Sequence, residues 1–186
     1  MTTNLLHLAL VLLAVTVPSP AQTTKVFTSP DRALRAVVWT SSAYESRVQI
    51  QGPSRRVLLT RDETSSDGSH GQGVLHAAWT ADSQFFVAGT ESTGGHQPWA
   101  RPIWVYSRAK NRVFDLGEMG AVSVDDFTLK PPDVVEMKVL DCEHVIGGDP
   151  QTRSLSVSLH QVVSTERVPN APCAARKSVG SPILRP

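Results

Sequence analysis

Residues Val74 to Leu116 read VLHAAWTADSQFFVAGTESTGGHQPWARPIWVYSRAKNRVFDL. The stretch holds three of the chain's four tryptophans (Trp79, Trp99, Trp104) and three of its five phenylalanines. An apolar run ends at Trp79, a turn follows at Thr80-Ala81-Asp82-Ser83, and a second apolar run covers Phe85 to Ala88. A polar, Gly-rich loop from Glu91 to Pro102 then leads to Ile103–Tyr106, a turn at Ala109-Lys110-Asn111, and Val113–Leu116. Short runs of β-branched and aromatic residues bounded by Asp, Asn, Gly and Ser are the grammar of consecutive antiparallel strands. This is the pattern of a folding unit and carries no catalytic signature.

The same grammar extends both ways. Upstream, Val26 and Phe27 mark a first strand, Ser29-Pro30-Asp31-Arg32 a turn, and Leu34–Trp39 a second strand. Val48 and Ile50 alternate with Arg47, Gln49 and Gln51, the period of a half-buried strand. Gly52-Pro53-Ser54 turns the chain into Val57–Leu59. Downstream, Val122, Val124, Phe127 and Leu129 alternate loosely until Pro131-Pro132. Val134–Leu140 and the alternating Leu155, Val157 and Leu159 predict a C-terminal hairpin around Asp141–Thr152, completing a sheet edge that would otherwise be open. No extended window has sustained 3.6-residue apolar spacing, so the expected class is all-β.

An internal repeat is visible. Ser29-Pro30-Asp31 with its following strand matches Thr80-Ala81-Asp82 with Phe85–Ala88, at an offset of 51. Arg47–Ile50, turn, Arg56–Leu59 likewise matches Ile103–Tyr106, turn, Arg112–Leu116. Trp79-Thr80-Ala81-Asp82-Ser83, Phe85–Ala88 and Ile103-Trp104-Val105-Tyr106 resemble the WD40-like repeat of TolB-type periplasmic β-propellers, and Ser29-Pro30-Asp31 begins a second match. The resemblance covers Ser29 to Leu116. It departs from the family where the usual Pro is Ala81 and the usual Gly after Asp is Arg32 or Ser83. It implies a binding or scaffolding role in the cell envelope and no catalysis. A propeller closes with about four to eight blades. The expectation is therefore two four-stranded antiparallel blade-like sheets, packed as a sandwich or forming part of a propeller, plus the C-terminal hairpin.

Leu5 to Val17 is an apolar stretch followed by Pro18-Ser19-Pro20-Ala21, with small residues where a signal peptidase cuts. It falls short of the roughly 20 residues a membrane helix needs. The expected organisation is a secretory signal at 1–21, one all-β domain at 22–166 and a Pro-rich, poorly ordered tail at 167–186. No Cys follows the cleavage site, which argues against a lipid anchor. The expected location is secreted or periplasmic, with no transmembrane segment in the mature chain. Eighteen basic residues against seventeen acidic ones leave a net charge of +1, unlike the basic excess of a nucleic-acid binder. Cys142 and Cys173 are expected to pair in an oxidising compartment. That bond would close a loop of about 30 residues, worth about 3–4 kcal/mol in the chain-entropy model.

His70 and Asp67 sit in the loop before the Trp79 strand, and His96 and Trp99 in the loop after Phe85–Ala88. In an antiparallel meander the two loops emerge at one end. His70, His96 and Asp67 would there form a zinc or copper site, or a general-base site. The simpler reading is Gly-rich surface loops that happen to contain His. Trp99, His96, Trp104 and Tyr106 are the candidates for holding a protein, peptide or glycan, with Trp104 and Tyr106 packed between sheets as the competing reading. His76 is expected on the strand face shared by Val74 and Ala78. The motifs H-E-x-x-H, G-x-S-x-G, C-x-x-C and the P-loop are all absent. A noncatalytic binding or scaffold protein is the leading expectation. A metal-dependent protein comes next, then a hydrolase without a recognisable motif, since triads are spatial.

Overall fold

The computed structural model describes residues 22–94, 100–146 and 149–173. Among these, eleven strands form three antiparallel sheets. The first is a meander of β1 (Thr23–Thr28), β2 (Arg35–Thr40), β3 (Ser46–Gln51) and β4 (Val57–Asp62). The second runs β5 (Gln72–Trp79), β6 (Phe85–Ser92), β7 (Ile103–Ser107) and β8 (Arg112–Asp115), again in sequence order. The third is ordered β11-β10-β9, from β9 (Thr128–Lys130), β10 (Val134–Ile146) and β11 (Asp149–Ser158). The class is all-β, as the strand grammar predicts.

The second sheet is the central layer. Phe86, Ala88, Trp104 and Tyr106 face the first sheet and pack on Ala36, Val38, Val48 and Ile50. Their neighbours Phe85, Val87, Ile103 and Val105 face the opposite way, onto Val135, Met137, Val139, Leu155 and Val157. Every residue of β7 is buried, as are the first six of β6. Unbroken apolar runs, as against the alternation in β3, mark strands covered on both faces. Phe86 is the aromatic hub, with ring centroids 5.8, 5.3 and 5.9 Å from those of Phe27, Trp79 and Trp104. Trp79 Nε1 donates to Phe27 O at 2.8 Å, tying the two sheets.

The sequence repeat recurs bond for bond. Ser29 Oγ donates to Asp31 Oδ1 at 2.6 Å and accepts from Leu34 N at 3.0 Å, while Ala33 N donates to Asp31 Oδ1 at 3.1 Å. Thr80 Oγ1, Asp82, Gln84 and Phe85 make the same set at 2.6, 3.1 and 3.0 Å. Arg32 and Ser83, at the repeat's usual Gly, have φ of 60° and 61°, the left-handed region that Gly occupies without cost. A third aspartate, Asp133, stands a further 51 residues on, in the β9–β10 turn. The sequence reading missed it because no Ser or Thr precedes it at the matching position. These turns join the layers at one end of the stack. Asp31 N donates to Ser83 Oγ at 3.0 Å and Arg108 pairs with the Asp31 carboxylate. His160 Nε2 lies 3.0 Å from Asp82 Oδ2, and Ser158 Oγ and His160 N donate to Asp133 Oδ2 at 2.6 and 2.9 Å.

Three expectations change. The C-terminal hairpin is not an edge addition: with β9 it makes a separate sheet whose inner face covers the central layer. Its strands also run through most of the expected loop, with a bulge between Asp141 and Val145. Leu159 belongs to a short helix, α1 (Leu159–Thr165), capped by Ser158, which buries Leu159, Val162 and Val163. Residues 167–173 are part of the fold and not of a loose tail. Val168 joins the core, Arg153 Nη2 donates to Asn170 O at 2.6 Å, and Cys173 bonds Cys142 across a Cα–Cα distance of 5.1 Å. The expected signal segment 1–21 and the rest of the tail lie outside the described residues.

Removing the hub ring tests this layering. Phe86→Ala should cost about 3–5 kcal/mol by urea unfolding. Val26→Ala, at a side chain 55% exposed on β1, should stay within about 0.5 kcal/mol. A Phe86→Ala cost under about 1 kcal/mol would contradict two-sided burial of the central sheet.

Candidate functional site

One turn and two loops meet at the end of the stack opposite the aspartate turns, and one carboxylate organises them. Glu45 closes the β2–β3 turn, where Ser41 N donates to Glu45 O at 2.8 Å, and is 2% exposed. Its Oε1 accepts from Ser65 Oγ at 2.6 Å, Gly71 N at 2.7 Å and Thr93 Oγ1 at 3.4 Å, and its Oε2 accepts from Ser65 N at 3.0 Å. The hydrogen bond from Ser65 is the main reason its pKa is held below the ordinary value of 4.5, against burial, which pushes it up; Gly71 N and Thr93 add to the lowering. A buried carboxylate is tolerable only with its lone pairs filled. Such an approach needs glycine: a Cβ on Gly71 would sit 2.6 Å from Glu45 Cδ, and one on Gly73 would collide with Tyr44 O.

Ser65 and Asp67 order the β4–β5 loop. Ser69 N and His70 N both donate to Ser65 Oγ at 3.1 Å. Asp67 Oδ1 accepts from Ser69 N at 3.0 Å, and His70 Nδ1 lies 2.5 Å from Asp67 Oδ2. The bond from Ser69 N, followed by those from Ser65 and His70, holds the Asp67 carboxyl well below the usual carboxylate range. The β6–β7 loop leaves the sheet against this unit. Thr93 donates to Gly71 O through both N and Oγ1 at 3.0 Å, and a Cβ on Gly94 would lie 3.2 Å from His70 Cδ2. The two loops therefore do emerge together, as the meander predicts. His96 and Trp99 lie outside the described residues.

The remaining candidates are placed elsewhere. Trp104 and Tyr106 are 0% and 1% exposed between the first and central sheets, so a surface ligand does not reach them. Tyr106 Oη donates to Asn111 Oδ1 at 3.1 Å, and burial pushes its pKa up. Among the described residues Trp104 Nε1 has no hydrogen-bond partner, and Arg61 Cζ stands 5.2 Å over its ring. His76 lies on the face opposite Val74, because a bulge between them reverses the alternation. It stacks on Phe127 with centroids 4.5 Å apart.

His–Asp pairs form at His70–Asp67, His144–Asp141 and His160–Asp82. A nucleophilic triad needs the carboxylate and the hydroxyl on opposite ring nitrogens. At His70 the Ser69 hydroxyl and Asp67 meet the same Nδ1. Among the described residues no three His, Cys, Asp or Glu side chains gather as metal ligands.

Glu45 gives this end of the molecule a pH signature. Its folded pKa is depressed, so the stability it contributes is present above about pH 4.5 and lost as pH falls through the folded value. Urea midpoints of the native protein and Glu45→Gln should differ at neutral pH and converge below about pH 4.5, because the shared loss from other carboxylates cancels in the difference. A gap that stays constant with pH would show that Glu45 is not a buried, hydrogen-bonded anion.

No protein-family model and no curated protein matches the chain. Among solved structures, a candidate conserved lipoprotein from Clostridium novyi NT is similar, with a TM-score of 0.43 and 10% identity, covering 78% of this chain and 92% of that one.

Proposed function

We propose that this chain is an exported, noncatalytic binding or scaffold protein of the cell envelope or extracellular space. The observation that carries the reading is the loop pair fastened by Glu45 at one end of a stack of packed sheets. Loops held by a rigid β scaffold are where recognition residues concentrate. Trp99, in one of those loops, is the side chain assigned to a protein, peptide or glycan partner. The Cys142–Cys173 bond supports export, since disulfides persist in oxidising compartments. Among the described residues no helix is long and apolar enough to cross a membrane. The resemblance to TolB-type repeats points the same way, and the aspartates at 31, 82 and 133 fit a unit repeated three times.

A metal-binding reading has one specific observation behind it. Gly94, two residues before His96 in the sequence, stands against His70 of the His70–Asp67 pair. Zinc or copper is the metal those donors would take.

Elemental analysis by inductively coupled plasma mass spectrometry on the chain, expressed with residues 1–21 and recovered by fractionation, separates the two readings. The binding-module reading expects recovery outside the cytoplasm, with Cys142 and Cys173 oxidised and no stoichiometric metal. About one zinc or copper per chain, lost in His70→Ala/His96→Ala with the fold retained, would replace it by the metal reading. Retention in the cytoplasm with both thiols reduced would sink export.

A further inference from the structure

The outer face of the first sheet, turned away from the central layer, carries a site of different chemistry from the loops. Cross-strand register sets Thr24, Trp39 and Arg47 side by side on β1, β2 and β3, with Gln49 diagonal to Trp39. A cavity of about 370 Å³ opens over Trp39, Arg47 and Gln49, bounded by Gln22, Ser41 and Thr64, within the ~300–1,000 Å³ range of ligand pockets. Its floor is the half-buried indole of Trp39.

The polar groups around that floor are held in place by hydrogen bonds, and Arg47 is neutralised by Asp62. Arg47 donates from Nε and Nη2 to Asp62 Oδ2, at 2.9 and 2.6 Å. Asp62 is itself held below its ordinary pKa, chiefly by Arg47 and then by Thr64. Arg35 donates from Nε and Nη2 to Gln51 Oε1 at 2.8 and 2.6 Å, and Gln51 Nε2 donates to Gln49 Oε1 at 3.0 Å. This ladder orients the Gln49 amide with its nitrogen end unused among the described residues. The Trp39 indole N–H is likewise without a partner there. Glu45 borders the cavity, but its oxygens are occupied by Ser65, Gly71 and Thr93.

An aromatic floor with fixed donors, an ion-paired arginine and a fully hydrogen-bonded carboxylate selects its ligand class. The C–H face of a pyranose ring packs on the electron-rich face of an indole, and ring hydroxyls accept from amide and guanidinium N–H groups and donate to Ser or Thr. A phosphate or carboxylate ligand would need an unpaired cation in the lining, yet Arg47, the arginine that lines the cavity, is paired with Asp62. Beside Trp39 the face carries Val37 and the exposed Val26 together with Thr24, Arg47 and Gln49, and contact with a second copy of the chain is an outcome that the test separates. We propose that the Trp39 groove binds a neutral saccharide. The proposal rests on the binding-module reading and assigns the ligand to Trp39 instead of Trp99.

The test is titration of the full chain with neutral gluco-, manno-, xylo- and N-acetylglucosamine oligosaccharides, read by tryptophan fluorescence and calorimetry. At least one series should bind, and Trp39→Ala should weaken it tenfold or more. Because Trp39 lies in a strand, Gln49→Leu serves as a second variant that keeps the indole, and it should weaken binding several-fold with an unchanged thermal midpoint. Trp39→Tyr should restore part of the affinity. No binding by any series overturns the proposal, as does binding that survives both Trp39→Ala and Gln49→Leu. Preference for sulfated or phosphorylated sugars overturns the neutral assignment. A dimer dispersed by Trp39→Ala makes the face a contact between copies and overturns the saccharide. Binding that is lost in Trp99→Ala but kept in Trp39→Ala overturns this site while leaving the binding-module reading standing.

Discussion

A sheet buried on both faces needs apolar side chains at successive positions along the middle of its strands, and that constraint organises this protein. In β6 and β7, Phe85-Phe86-Val87-Ala88 and Ile103-Trp104-Val105-Tyr106 send successive residues into two different cores. Burying both sets removes apolar surface from water at roughly 25 cal/mol per Å². The flanking sheets then need to be apolar on one face only. Their outer faces carry Thr24, Arg47 and Gln49 on one side and Glu136, Lys138, Ser154 and Ser156 on the other. Function is thereby confined to the two ends of the stack and to its two polar outer faces.

The ends are fastened in different ways. At one, a Ser/Thr-x-Asp turn is used twice with the same bonds, and the aspartate serves its own turn through one oxygen and the next layer through the other. At the opposite end a single carboxylate, Glu45, gathers donors from Ser65 and Gly71 in the β4–β5 loop and from Thr93 after β6. Hydrophobic packing between sheets is non-directional and leaves sliding cheap. Directional bonds to carboxylates at both ends set how the layers sit against each other. Gly71 and Gly73 are required there because the strand passes too close to Tyr44 and Glu45 for any side chain.

Much of the fold was legible before the structure. Each strand of the two meanders lies within a residue or a few of its predicted place, because alternating or unbroken apolar runs between turn residues are local signals. The candidate site was legible only in part. The meeting of the His70 and His96 loops follows from meander topology, but nothing in the spacing marks Glu45 as their anchor, since its partners are 20, 26 and 48 residues away. Trp39, with one strand signal among many, gave no hint of a groove.

The sequence by itself determined the strands, their order within each meander, the repeated Asp turn and the cysteine pair. These depend on residues near one another in the chain, or on a residue type with one chemical use in an oxidising compartment. Tertiary structure alone decided that the hairpin forms a third layer, that Trp104 and Tyr106 are interior, that Val168 and Ala171 pack on the core, and that His76 points away from Val74. Each of these turns on which sheet face meets which. A face is chosen by the whole set of apolar surfaces competing for cover, and a single bulge reverses it.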